Sequence, residues 1–342
     1  MLSLLLLGFL LLPFALIGGG LAFFWRSKRR RVLRWTFFCY LAAVSMLFFG
    51  IGPFVMARLL THAGSRPPDL RLKDTPADYG VKFEYVRFRS LDGLELKGWW
   101  IPPSSKDGVL ICTHGLFRTR VEMLARAMAA AKSGYGALLY DSRSHGSSAK
   151  AIVSLGYYEA NDVLGAIQYV LQCYQGKPRP KIVLMGISMG AVTTLRAAAQ
   201  CNNYVAMVVD SPFSSVEETV IDHTWLFFRL PRYPFTPLFL FWFRKFSGCD
   251  PTQINSHQAL KQVLPVPVLF IGSEGDRRIG PEVAQHLYQE SDSSLKRIKI
   301  FGNDVGHGAA FRLHPEVYAK LLVDFLDRAV SNGTSDTALA RH

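Results

Sequence analysis

The stretch that most restricts how this chain can fold runs from Lys181 to Gln200. It begins as a short apolar segment, Ile182–Ile187, whose length and content suit a buried strand. It then breaks into Gly186-x-Ser188-x-Gly190 and continues as a segment, 191–200, that reads as a helix. Strand, tight turn and helix in that order set a serine on a sharp bend between neighbours that lack side chains. A hydroxyl there stands above a sheet, beside the free N–H groups of a helix N-terminus. The bare pattern arises by chance in about one chain in ten of this length, so the flanking strand and helix carry the inference.

The rest of the chain repeats the rhythm. Strand-like segments fall at 81–88, 94–101, 109–113, 136–141, 205–210, 268–271 and 298–301, with helical segments at 121–133, 157–175, 281–289 and 315–330. Turn residues at Leu91, Asp92 and Gly93 predict an antiparallel hairpin at a sheet edge. Short apolar strands alternating with helices predict an α/β domain over 81–330, its sheet mostly parallel and covered on both faces. One insertion, 211–262, interrupts the alternation. Between Trp225 and Phe243 it carries many aromatics and three prolines, a mixture that does not suit a regular core helix. It reads either as a cap that grips an apolar molecule or touches a membrane, or as a segment packed on the domain or the N-terminal helices. Residues 61–80 read as a polar, proline-bearing linker and 331–342 as a disordered tail.

Residues 1–60 read as a membrane anchor of two transmembrane helices, 2–25 and 35–60. Each is apolar over the roughly 20 residues a span needs. No basic residue precedes Arg26, which argues against a cleaved secretory signal. The arginines and lysine between Arg26 and Arg34 read as a short basic loop joining the spans. The positive-inside rule puts such a loop in the cytoplasm and the large domain on the outer side. The formal charge is +13, from 39 Lys and Arg against 26 Asp and Glu. The basic cluster lies between apolar stretches and no basic, aromatic-interleaved helix follows, so nucleic acid is not an expected partner. Membrane lipids are. The five cysteines show no metal-ligand or CxxC spacing.

A serine hydroxyl is a weak nucleophile and needs a base to take its proton, held in turn by a third group. In an open α/β sheet such groups gather beyond the carboxyl ends of the strands. His307 follows the last strand in a glycine-rich loop. His62, His223, His257, His286 and His342 lie at the membrane end, in the insertion, mid-helix or at the terminus. Asp276 follows the strand at 268–271 and is the expected acid, with Glu274 and Asp210 as competitors. A developing oxyanion needs N–H donors. The Met189 amide, at the start of the helix after Ser188, is one. The Leu116 amide, in the loop after the strand at 109–113, is the other. Gly115 permits the tight backbone there, and His114 is expected to brace that loop rather than transfer protons.

Taken together, these pieces resemble an α/β-hydrolase of the lysophospholipase, esterase and serine-peptidase-like branch with an N-terminal membrane anchor. The resemblance rests on Thr113-His114-Gly115, on 140–146, on Gly156-x-x-Glu159-x-x-Asp162, on 186–191, on Asp210-Ser211-Pro212-Phe213, and on Gly275-Asp276 with Gly306-His307. It implies the α/β-hydrolase fold, a mostly parallel eight-stranded sheet flanked by helices, with the triad in the chain order Ser188, Asp276, His307. Ser144 departs from it, standing where relatives carry glycine. The implied activity is hydrolysis of a carboxylic ester of a small molecule or lipid through an acyl-serine, with no metal or organic cofactor. A peptidase or amidase, an acyltransferase and a non-catalytic binding protein of the same fold are the alternatives.

Overall fold

The computed structural model describes residues 28–332, which fall into two compact units. The larger, 60–216 with 249–332, holds one eight-stranded sheet. Its strands are β1 (Glu84–Arg89), β2 (Glu95–Ile101), β3 (Gly108–Thr113), β4 (Gly136–Tyr140), β5 (Lys181–Ile187), β6 (Ala206–Asp210), β7 (Val268–Ser273) and β8 (Lys296–Phe301). Their order is β1-β2-β4-β3-β5-β6-β7-β8. Strand β2 runs antiparallel to both β1 and β4, as the turn at Asp92 and Gly93 predicts, and every other pair is parallel. All eight expected strands form.

Because side chains alternate across a strand, each buried strand feeds two cores. Leu110, Cys112, Val183, Met185, Leu269 and Ile271 face one way, against Met123, Ala127, Tyr318, Leu322 and Phe325. Val109, Ile111, Ile182, Leu184, Val268 and Phe270 face the other, against Val163, Ala191, Leu195 and Leu287. In the chain numbering of this fold, the first side is covered by the helices Leu124–Lys132 and Pro315–Asn332, the second by Glu159–Cys173, Met189–Ala198 and Pro281–Glu290. The last helix runs two residues into the stretch expected to be a tail, and residues 333–342 lie outside the described ones.

The Gly156, Glu159 and Asp162 motif is structural. The buried Glu159 carboxylate accepts from the Ser154 and Gly156 amides and from the Ser154 hydroxyl. Asp162, fully buried, binds the Arg143 side chain and amide, while Arg143 also grips Asp92. This holds the loop after β4, where Ser144 adopts φ +66°. That conformation favours glycine and explains why serine is a departure at this position.

The smaller unit joins residues 28–59 to Glu217–Gly248. Helix α1 (Lys28–Ser45) leads through one π-helical stretch, Met46–Ile51, into α2 (Gly52–Thr61). The π register falls just before Pro53, whose ring supplies no N–H, and Gly52 donates five residues back to the Leu47 carbonyl. This corrects the expected architecture of two spans joined by a basic loop. One stretch, Arg31–Thr61, is long and apolar enough to cross a membrane, with mean hydropathy 2.0. The other expected span, 2–25, lies outside the described residues. The basic residues from Lys28 to Arg34 belong to α1, since Arg, Lys and Leu are strong helix formers and no glycine or proline interrupts them.

The aromatic insertion is more regular than expected. It folds into α3 (Val216–Phe228) and α4 (Arg232–Ser247), separated at Arg229, where φ is +56°. Tyr233 is non-helical, so the regular part of α4 begins with Pro234. Pro234 stands where no helical N–H bond is made, and Pro237 removes only the first bond of the helix, to the Tyr233 carbonyl. One face of α4 packs on α2, with Phe54 edge-on to Trp242 at 5.0 Å and to Phe246 at 5.2 Å.

Replacing Arg143 with alanine leaves the buried Asp162 carboxylate unpaired, so a loss of about 3–5 kcal/mol in unfolding free energy is expected. Asp92→Ala, at the half-exposed end of the same arginine, should cost no more than about 1 kcal/mol. Urea titrations of the two variants check the contrast.

Candidate active site

Ser188 sits between β5 and the helix Met189–Ala198, with φ +54° and ψ −121°. A non-glycine residue in such a region stores on the order of 1–3 kcal/mol of strain and persists only where its surroundings fix it. The two glycines of the motif are those surroundings. A Cβ on Gly186 would lie 2.1 Å from the Gly190 carbonyl oxygen, and one on Gly190 would lie 2.2 Å from that of Thr113. The glycines are thus required by close approach of β5, the helix start and the end of β3, while the positive φ is carried by the serine. The Ser188 amide donates to the Asp210 carbonyl at 2.9 Å, tying the bend to β6.

The structure brings Ser188, Asp276 and His307 together. His307 Nε2 lies 2.8 Å from Ser188 Oγ, and Nδ1 lies 2.6 Å from Asp276 Oδ2. A carboxylate oxygen only accepts, so Nδ1–H is the donor, and the serine hydroxyl donates to the bare Nε2. Asp276 is itself buried, and its Oδ1 accepts from the Arg278 and Ile279 amides at 3.0 and 3.1 Å. The competitors go elsewhere. Glu274 is exposed, and the Asp210 carboxylate accepts from Tyr318, Ser211 and Arg126.

Beside Ser188 runs the loop after β3, where a Cβ on Gly115 would sit 3.4 Å from the Ser188 Cβ. Its amides are accounted for one by one. Gly115 N–H donates to the partly buried Glu122 carboxylate at 2.7 Å, and Phe117 N–H donates to His145 Nε2 at 3.2 Å. Between them, the Leu116 N–H meets no acceptor among the described residues. Its direction is fixed from the other end of its peptide. The Gly115 carbonyl accepts from His114 Nδ1 at 2.7 Å and from the Arg118 amide at 3.3 Å. A planar trans peptide points its N–H opposite its C=O, so the clamp on the carbonyl aims the Leu116 amide. The Met189 N–H, in the first helical turn, likewise has no acceptor among the described residues.

Both histidines of this clamp are neutral. His114 Nε2 accepts from the Ser142 amide, which leaves Nδ1–H as donor, and His145 is held in the same tautomer by Phe117 and the Arg143 carbonyl. Burial drives the His114 pKa down to about 3, with the neighbouring His145 adding to the effect, and burial also lowers His145. Burial pushes Glu122 above the usual carboxylate range, opposed by the Gly115 amide and by Arg118 and Arg126.

Sequence reasoning identified the bracing role of His114 but missed Arg126. This buried guanidinium donates to the carbonyls of Glu122 and Gly308 and reaches Asp210 at 3.4 Å. It ties the loop before its helix, the turn after His307 and the end of β6 to one cation. The available signal was a lone charge at the fourth position of an otherwise apolar run, 123–131.

A sequence profile of the alpha/beta hydrolase family matches residues 109–321, and the chain belongs to that family. Among its relatives is YqkD of Bacillus subtilis (strain 168), 28% identical over 237 residues, covering 69% of this chain and 76% of that protein. The fold is shared with the Pyrococcus furiosus esterase Pf2001, at a TM-score of 0.64 and 24% identity over 78% of this chain and 98% of the esterase. It is shared too with the Pyrococcus horikoshii acylaminoacyl peptidase, at 0.55 and 22% over 75% of this chain and 43% of the peptidase. The fold therefore has both esterase and peptidase neighbours.

The His114 pKa lies below its unfolded value of 6.5, so the folded state excludes that proton. Its contribution is complete above pH 6.5 and is lost as pH falls toward 3, at about 1.4 kcal/mol per pH unit. In a His114→Asn variant, unfolding free energies measured between pH 7 and 5 should fall less steeply by about one proton, the slope from His145 remaining.

Proposed function

We propose that this protein is a membrane-anchored serine hydrolase that cleaves carboxylic esters through an acyl-Ser188 intermediate. The observation that carries this reading is the hydrogen-bonded line from Asp276 through His307 to Ser188, at 2.6 and 2.8 Å. In the proposed cycle Ser188 Oγ attacks the ester carbonyl while His307 Nε2 takes its proton. The alcohol leaves with that proton, and a water activated by the same imidazole releases the acid and restores the serine. Asp276 holds the imidazole in the required tautomer and stabilises its charged form. The Met189 and Leu116 amides, both without acceptors among the described residues, are the donors to the oxyanion.

The anchor is the apolar stretch Arg31–Thr61, with the basic residues before it on the inner side and the catalytic unit on the outer side. An apolar acyl ester, as expected of a lysophospholipase-like enzyme, suits a protein held at a membrane. The acylaminoacyl peptidase neighbour favours one second reading, an amide as leaving group, which passes through the same acyl-enzyme.

A fluorophosphonate probe should label Ser188 and leave a Ser188→Ala variant unlabelled. That variant and Asp276→Asn should each lose on the order of 10⁴-fold in kcat on p-nitrophenyl esters. Turnover of aminoacyl anilides faster than any p-nitrophenyl ester, across increasing acyl lengths, would replace the esterase reading with the peptidase one.

A further inference from the structure

The insertion Glu217–Gly248 presents two unlike surfaces. Phe235 approaches Gly52, and Trp242 and Phe246 close on Phe54, with the Arg58 guanidinium 5.6 Å from the Phe246 ring centre. Elsewhere on the insertion Trp225, Phe227, Phe228, Tyr233 and Phe241 are each more than two-fifths exposed. A water-facing surface of that composition is costly. Cations are stacked on it, with Arg229 5.5 Å from the Trp225 ring, Arg232 5.4 Å from Tyr233 and Lys245 5.8 Å from Phe241. The acidic residues of the insertion, Glu217, Glu218 and Asp222, all precede Trp225, and Glu217 pairs with Arg232. Of the stacked cations, Arg229 and Lys245 thus have no carboxylate ion-pair partner on the insertion among the described residues.

The length of the anchoring helix gives the depth of this surface. From Trp35, the first residue after Arg34, the chain runs without a charge to Arg58. At about 1.5 Å per residue this stretch is roughly 34 Å long, a little more than the roughly 30 Å hydrocarbon core of a bilayer. Helix α4 meets this stretch from Met46–Ile51 through Gly52 and Phe54 to Arg58, so its contacts run from the core to where the span leaves it for the headgroups. Exposed aromatics with interleaved Arg and Lys at that level are the composition of an interfacial segment, with rings in the headgroup boundary and cations on lipid phosphates.

We propose that the hairpin of α3 and α4 is an interfacial element that beds its exposed aromatics in the surface of an anionic phospholipid bilayer. This rests on the membrane-anchored reading above, and it assigns the insertion's exposed face to lipid rather than to a second copy of the chain.

The test uses the full chain reconstituted in phosphatidylcholine vesicles, with or without phosphatidylglycerol, in which the lipids are brominated near the glycerol end of their acyl chains. The Trp225 contribution to emission is the difference between the chain and its Trp225→Phe variant. Brominated lipid should quench that contribution at least about two-fold, more in vesicles with phosphatidylglycerol. The charge-reversed variant Arg229→Glu, Arg232→Glu, Lys245→Glu should lose the dependence on anionic lipid, each cation being worth about 1 kcal/mol near such a surface. A Trp225 that aqueous acrylamide quenches and brominated lipid does not would overturn the proposal. So would a Trp225 silent to both together with cross-linked dimers, which would give the face to a second copy. Fluorophosphonate labelling of Ser188 is read on the same vesicles. A labelled chain with unquenched Trp225 defeats this inference alone, and a quenched chain without label defeats only the catalytic reading.

Discussion

The close approach of three backbone segments around Gly186 and Gly190 governs the rest of the site. Where β5 meets the following helix there is no room for a Cβ on either glycine, and the end of β3 presses on the same turn. That contact holds Ser188 in a conformation it would not adopt alone. Strain of this kind has to be met by the surrounding packing. Here the parallel pairing of β3, β5 and β6 supplies it, and the Ser188 amide is fastened to the Asp210 carbonyl.

Around that bend the polar groups divide into those that are satisfied and those that are left open. Glu122 and His145 take the Gly115 and Phe117 amides, and His114 takes the carbonyl between them. The Leu116 N–H is the remainder, aimed but unused. Buried neutral imidazoles suit the task because each offers one donor and one acceptor to fixed backbone partners and carries no charge to desolvate. Arg126 extends the same economy to the other half of the site, since its donors reach carbonyls on both sides of the triad and a carboxylate at the end of β6. The proposed chemistry and the rigidity of the loops thus draw on one connected set of bonds.

Much of this was legible in the chain. Short apolar runs alternating with helical segments announced the parallel strands, because a parallel sheet covered on both faces needs them, and the turn at 91–93 announced the edge hairpin. Ser188, His307 and Asp276 stood out because each follows a strand, where the geometry of an open sheet gathers side chains. Other features were not legible. Nothing local distinguishes Asp276 from Glu274 two residues earlier; burial and two backbone amides do. The basic cluster before Trp35 looked like a loop because charge separates two apolar stretches, yet its residues are strong helix formers and continue α1. The prolines of the insertion looked disruptive and fall instead at the start of α4, where only its first helical bond is lost.

By itself, the sequence determined the alternation of elements, the serine on its bend and the order of the three candidate triad residues, since periodicity and glycine spacing are local properties. Only the tertiary structure decided which carboxylate reaches His307, which amides near Ser188 stay open and what Arg126 binds. It also decided that one face of the aromatic insertion packs on α2. Those outcomes depend on distances between residues far apart in the chain, and such distances exist only once the sheet has assembled and the helices have closed on it.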